Sequence, residues 1–255
     1  MGIQLVIPMA GLGSRFANAG YKEIKPLIPI HGVPMISIVI SNLANRQVDH
    51  LILVCQRKTM EETNLRKVIP FDGPVTLLGV DELTDGPAGT VQVAYPAIEG
   101  DQPLVIANSD QYVDADMTSF YSKLQDGSLD GNILAMEDTD PKWSYVSLDQ
   151  SGLLSEIREK KVISNLATVG IYGYSKARFA FEAFREMRAR NDRTNGEYYV
   201  GPAYNYMVER GQRVGVENLG EVATIMHGLG IPQDLERFVG TDLSRRAADK
   251  ARVRK

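Results

Sequence analysis

The chain has 255 residues, 44% of them apolar, and a formal net charge of −4. That supplies a sizeable core for one domain, or one domain with an appendage, and argues against a general nucleic-acid surface. No run of about 18 apolar residues is present, so no membrane span is expected, and no charged-then-apolar leader opens the sequence, so no secretory signal is expected.

Cys55 is the single cysteine and lies in an apolar run, which excludes a disulfide framework. His31, His50 and His227 stand far apart, with no pairing at zinc-ligand spacing. A cytoplasmic protein is the default expectation.

In chain order, Ile3 to Ile7 is a short β-branched apolar run, read as a buried strand of a parallel sheet. A glycine loop follows, then extended chain from Ile28 to Ile30 and a turn at His31-Gly32-Val33-Pro34. Pro34 opens a helix over Met35 to Asn45. Leu51 to Cys55 is the second strand. Thr59 to Val68 reads as a helix, with Thr59 as N-cap and Glu62 completing a capping box. Val75 to Leu78 is the third strand, Pro87 to Ile98 a helix, and Leu104 to Ala107 the fourth strand. This alternation predicts an α/β sheet with parallel neighbours and right-handed crossovers.

Met117 to Leu124 reads as a helix and Asn132 to Met136 as a strand. Tyr145 to Leu148, Leu153 to Ile157 and Ala167 to Tyr174 read as strands, the first two split by the Asp149 to Gly152 turn. They predict a small antiparallel extension. Lys176 to Ala189 is an amphipathic helix whose stripe of Phe179, Ala180, Ala183, Phe184 and Met187 reads as core. Tyr198 to Glu209 reads as a helix, Arg213 to Glu217 and Val222 to Met226 as strands, and Pro232 to Val239 as a last helix. From Thr241 the chain is polar and basic (Arg245, Arg246, Lys250, Arg252, Arg254, Lys255) and reads as a solvated tail. The expected organisation is a single domain over 1–240, its acceptor-binding part within 140–220, and a basic tail over 241–255.

Ligands of such sheets gather at the carboxyl ends of the strands. The loop Ala10-Gly11-Leu12-Gly13-Ser14 sits at such an end, and its glycines let backbone amides approach anionic oxygens closely. Arg15 and Lys25 add two cations. Phe16 stands where a dinucleotide fingerprint needs its third glycine, and no G-K-[ST] makes a Walker A loop. Asp110, after the fourth strand, is placed to hold Mg²⁺ over a polyphosphate. Asp114-Ala115-Asp116 has the D-x-D form of a glycosyltransferase metal site, but its place before a helix suits a cap.

I-P-M-A-G-L-G-S-R followed by I-K-P-L resembles the signature of the sugar-phosphate nucleotidyltransferase family, with Ile24 where that family has proline. The resemblance implies a Rossmann-like, GT-A-like fold. It implies Arg15, Lys25 and Lys160 as catalytic residues and Asp110 as the Mg²⁺ ligand. Nucleotide contacts fall to Ala10 through Ser14, Gln56, Gly86, Thr90 and Asn108. Glu159-Lys160-Lys161 before Gly170-Ile171-Tyr172 is similar to the family's acceptor segment, with Lys161 in place of proline. Gly230-Ile231-Pro232-Gln233-Asp234-Leu235 is similar to the family's closing motif. The family's second metal-binding aspartate falls on Gly228, beside His227, and this leaves that ligand open.

The implied reaction is transfer of a nucleoside monophosphate from a nucleoside triphosphate to a phosphorylated small molecule, with release of pyrophosphate. The resemblance leans toward CTP and toward the capsule and phosphonate cytidylyltransferases, hence toward capsule or surface polysaccharide synthesis. It also implies a homodimer. Two alternatives stand: a glycosyltransferase using Asp114 and Asp116, and a nucleotide-binding module without catalysis.

Overall fold

The computed structural model describes residues 1–253, so Arg254 and Lys255 of the basic tail lie outside the described residues. The first half runs β1 (Ile3–Met9), α1 (Ser14–Asn18), β2 (Pro29–Ile30), β3 (Val33–Pro34), α2 (Met35–Leu43), β4 (Val48–Gln56), α3 (Arg57–Glu62), β5 (Val75–Val80), α4 (Pro87–Val93), β6 (Leu104–Ala107) and β7 (Gln111–Val113). The second half runs α5 (Thr118–Gln125), β8 (Gly131–Glu137), β9 (Ser144–Leu148), β10 (Leu154–Glu159), β11 (Leu166–Tyr174), α6 (Ala177–Ala189), α7 (Tyr204–Glu209), β12 (Val214–Glu221), α8 (Val222–Ile225), β13 (Met226–Gly228), α9 (Pro232–Val239) and α10 (Asp242–Val253).

A nine-stranded sheet carries the fold. β1 lies between β4 and β6, parallel to both, and β5 extends the parallel set beyond β4. β11 runs antiparallel against β6 and β8, and β9 and β10 continue that side. The architecture is the expected α/β one, a mostly parallel sheet with an antiparallel extension.

The apolar runs follow from burial on both faces. In β1, Ile3, Leu5 and Ile7 enter one core cluster and Val6 the other. In β4, Leu51, Leu53 and Cys55 face one side, Ile52 and Val54 the other. α2 covers the first cluster and α6 the second. Within α6, Phe181 is buried and Phe179 only partly so, which shifts the expected stripe by a small rotation.

Several boundaries differ from expectation. α3 begins at Arg57, directly off β4, so Thr59 lies inside the helix and no capping box forms. Arg57 anchors this start by donating from Nε to Asp81 at 2.5 Å. α4 ends at Val93, and a 3₁₀ turn over Tyr95–Ala97 contains the proline that stops it. Residues 198–200 are not helical; α7 starts at Tyr204 after the Gly201–Ala203 turn. Val222–Ile225 is helical, and the strand falls later, at β13, paired with β7.

The basic segment is not solvated all round. α10 lays Ala247, Ala248 and Ala251 into the core cluster that includes α2. Its last turn is tied down where Arg252 Nη2 donates to the His31 carbonyl, and Ser244 Oγ lies 2.8 Å from His31 Nε2. Ala248 is fully buried. An Ala248→Asp substitution would put an unpaired carboxylate there, and should cost about 2–4 kcal/mol of unfolding free energy, read by urea denaturation.

Candidate active site

β1 delivers the glycine loop to the carboxyl edge of the sheet. Gly13 takes the left-handed conformation (φ 63°) and starts α1, which a residue with a Cβ does at a cost. A Cβ on Gly13 would also meet the Lys25 Cβ at 3.0 Å. A Cβ on Gly11 would meet no atom within 4 Å, so neither packing nor φ demands glycine there. Gly11 borders a cavity, and its bare backbone suits a ligand approaching closely.

Lys25 opens a 3₁₀ turn, and its ammonium donates to Asp110 Oδ2. The pair is about one quarter exposed (21% and 28%) and lines a cavity of about 630 Å³. That volume is in the range of small-molecule sites. Arg15 lines the same end.

A second loop forms another wall through Leu83, Thr84, Gly86, Pro87 and Thr90. Thr84 Oγ1 lies 2.6 Å from Thr90 Oγ1, closing the turn onto α4. Behind the loop, Asp85 accepts from both terminal nitrogens of Arg188. The Asp85 carboxyl is held below its usual range, chiefly by that hydrogen bonding.

The far end is built from the antiparallel strands. Glu159 ends β10 opposite Ser144 of β9, and the Ser144 hydroxyl donates to its carboxylate. Lys160 follows in a left-handed conformation (φ 54°), fixed by its N–H donating to the Trp143 carbonyl at 3.0 Å. Lys160 Nζ donates to the Tyr199 hydroxyl at 2.8 Å. That bond raises the Lys160 pKa, so the amine stays cationic. Lys142 stands 4.7 Å from the Trp143 ring centroid. Burial, reinforced by Glu197, raises the Glu159 carboxyl above its ordinary value against the opposing pull of Ser144 and Lys160.

One cavity thus brings together Ala10, Gly11, Gly13, Arg15, Lys25, Gly86, Thr90, Asn108, Asp110, Glu159 and Lys160. Four expected residues do not line it. Gln56 turns its amide inward and donates to the Ala10 carbonyl at 2.6 Å, bracing the loop from behind. Leu12 is 69% exposed, Ser14 begins α1 on the outside, and Lys161 points to solvent. Asp114 and Asp116 are outside as well, and Asp116 Oδ1 accepts from the N–H and hydroxyl of Thr118 at the start of α5.

Sequence reasoning missed Lys142, Trp143, Glu197, Tyr199 and Asp234 as lining residues. The Asn195-Gly196 pair was the available signal for two of them. It turns a tight hairpin, both residues at positive φ, that presents Glu197 and Tyr199. His227 is turned away from the cavity, packed on Tyr112 and Phe238, with its pKa lowered by burial. Gly228 borders the cavity, and a Cβ there would lie 3.3 Å from Asp234 Oδ2. Among the described residues, no group of three or more His, Cys, Asp or Glu side chains is gathered as a metal cluster.

The fold thus sets Arg15, Lys25, Lys142 and Lys160 around one cavity on its carboxyl edge. The sequence model of the Nucleotidyl transferase family matches residues 5–214, and the chain belongs to that family. Bifunctional protein GlmU of Staphylococcus carnosus (strain TM300) is 24% identical over 236 residues, covering 87% of this chain and 48% of GlmU. Its counterpart in Aquifex aeolicus (strain VF5) is 28% identical over 235 residues, covering 83% and 47%. The chain spans about half the length of these curated relatives. Among solved structures, the nucleoside-diphosphate-sugar pyrophosphorylase from Vibrio cholerae RC9 shares the fold at a TM-score of 0.79 and 21% identity, covering 93% of this chain and 100% of that one. The inositol-1-phosphate CTP transferase from T. maritima does so at 0.74 and 13%, covering 98% and 96%.

A carboxyl raised by burial keeps its proton in the folded chain over a range where the unfolded chain has lost it. Its burial therefore costs stability as pH rises through that range. Glu159→Gln removes this dependence. The variant's melting temperature should gain on the parent's between acid and neutral pH, as read by calorimetry at both.

Proposed function

We propose that the chain transfers a nucleoside monophosphate from a nucleoside triphosphate to a phosphorylated acceptor and releases pyrophosphate. The acceptor is a sugar 1-phosphate or another small phosphate or phosphonate. The observation that carries this reading is one cavity with the glycine loop, Arg15 and Lys25 at one end and Glu159 and Lys160 at the other. The family match supports nucleotidyl transfer in general. The names of the fold neighbours, a nucleoside-diphosphate-sugar pyrophosphorylase and an inositol-1-phosphate CTP transferase, support a phosphorylated polyol acceptor.

An acceptor phosphate oxygen attacks the α-phosphorus in line. The bond to the α–β bridging oxygen breaks, and the β- and γ-phosphates leave as pyrophosphate. The attacking oxygen is already anionic at neutral pH, so no general base is needed. What the site supplies is positioning and charge neutralisation. Arg15 meets the leaving phosphates and Lys25 the α-phosphate. Backbone amides of Ala10 to Gly13 hold phosphate oxygens. Lys160 brings in the acceptor anion and offsets its repulsion from the triphosphate, with Glu159 on the acceptor's organic part.

Asp110 fits a hard divalent cation such as Mg²⁺. Its carboxylate already carries a positive group, the Lys25 ammonium, and Mg²⁺ takes one or two carboxylates with water and phosphate oxygens. Asp234 lines the same cavity and offers a second oxygen donor in place of the family aspartate that Gly228 replaces. Such an ion, when bound, neutralises phosphate charge. Our reading leans to CTP on the strength of I-P-M-A-G, N-S-D-Q and G-I-P-Q-D-L. The glycosyltransferase alternative is disfavoured, because Asp114 and Asp116 lie off the cavity.

The test is pyrophosphate release with each of CTP, UTP, GTP, ATP and dTTP against a panel of sugar 1-phosphates, inositol 1-phosphate and phosphonates, with Mg²⁺. One productive pair is expected. Arg15→Ala and Lys25→Ala should each lower kcat by about 10²–10³-fold, the loss typical of a removed charge-stabilising donor, with circular dichroism unchanged. Full turnover in Lys25→Ala, or free nucleoside diphosphate from a nucleotide sugar, contradicts the scheme.

A further inference from the structure

Besides the sheet, the two halves of the cavity meet at a joint along its edge. We propose that Arg188 is a positioning residue that locks this joint, so that a nucleoside triphosphate in one half orders the acceptor wall in the other. This rests on the reading of the cavity given above.

The joint is a short backbone ribbon. The Tyr198 N–H donates to the Asp85 carbonyl at 2.8 Å, and the Ala88 N–H donates to the Tyr198 carbonyl at 3.0 Å. Gly86 lies inside the ribbon at φ 122°, and a Cβ on it would come within 2.6 Å of the Tyr198 carbonyl oxygen. The two segments therefore touch with no room for a side chain. On one side of the ribbon, Thr84, Gly86 and Thr90 enter the nucleotide half. On the other, Glu197 and Tyr199 enter the acceptor half, where the Tyr199 hydroxyl accepts from Lys160.

Arg188, near the end of α6, grips both strands of the ribbon from behind. Its two terminal nitrogens donate to the two Asp85 oxygens, and its Nε donates to Gln92 Oε1 of α4 at 2.5 Å. Its guanidinium stands 4.6 Å from the Tyr198 ring centroid, and Arg193 stands 4.3 Å from the same ring. One planar fork thus fixes the carboxylate of one segment, the ring of the other and the helix that the first segment enters. Lysine could not replace it. A single ammonium has no fork to match two carboxylate oxygens while a third nitrogen serves Gln92. A triphosphate that settles the 84–90 loop then settles Tyr199, and through it Lys160, before the acceptor arrives.

Hydrogen exchange with mass spectrometry on the full chain tests this, with Mg²⁺ and each of the five triphosphates in turn, without acceptor. In the parent, the triphosphate should slow exchange in both 84–90 and 196–201. In Arg188→Ala and Arg188→Lys, the slowing should persist in 84–90 and vanish in 196–201. The acceptor KM at saturating triphosphate should rise about tenfold, within the usual size of a coupling between sites, while the triphosphate Kd measured without acceptor changes little. Slowing confined to 84–90 in the parent would overturn the coupling without any variant. Undiminished slowing of 196–201 in both variants would overturn the role of Arg188. No slowing anywhere with any triphosphate would overturn the nucleotide reading itself, and the proposal with it.

Discussion

The contact between the Lys25 ammonium and the Asp110 carboxylate is the constraint on which the site depends. It joins the turn after the glycine loop to the end of β6. Neither group is deeply buried, so the pair adds little to stability. Its weight lies in placement. Gly13 packs its bare Cα against the Lys25 side chain, and Gln56 braces the Ala10 carbonyl from β4. Three parallel strands thereby hold the loop, the lysine and the aspartate at one edge. β1 is central in the sheet and buried on both faces, and its pairings with β4 and β6 fix where that edge lies.

The opposite end is made differently. Its residues stand on antiparallel strands and a hairpin, where strand register decides which side chain faces the cavity. Glu159 and Ser144 face each other because β9 and β10 pair as they do. Lys160 reaches inward because a left-handed turn follows. The two ends share the sheet and the ribbon at Asp85 and Tyr198. Cationic side chains, Arg15 and Lys25 from the first and Lys142 and Lys160 from the second, line the cavity between them.

The runs in β1 and β4 were legible in the sequence because parallel strands buried on both faces carry unbroken apolar stretches. That Gly11, Gly13, Arg15 and Asp110 share one cavity was legible because all follow strands that end at the same edge of the sheet. Gln56 was not, since an amide at a strand end serves a ligand and a neighbouring carbonyl equally well. Val222 to Met226 was misread because β13 takes its pairing from β7, far earlier in the chain. Charges hid the role of α10: its small apolar stripe of Ala247, Ala248 and Ala251 is weak by composition and becomes core only against α2. The far wall of the cavity was the least legible, because Trp143, Glu197 and Tyr199 are brought together by register and a hairpin and share no local motif.

The central claim is that the cavity holds two substrates for a direct displacement, with no nucleophile supplied by the chain. The stereochemical course at phosphorus tests it most directly. A nucleoside 5′-(1-thiotriphosphate) of defined configuration is turned over with the productive acceptor, and the product is assigned by phosphorus NMR. A single in-line attack predicts inversion at the α-phosphorus. Retention would mean two displacements through a covalent enzyme–nucleotide intermediate, and would contradict the account.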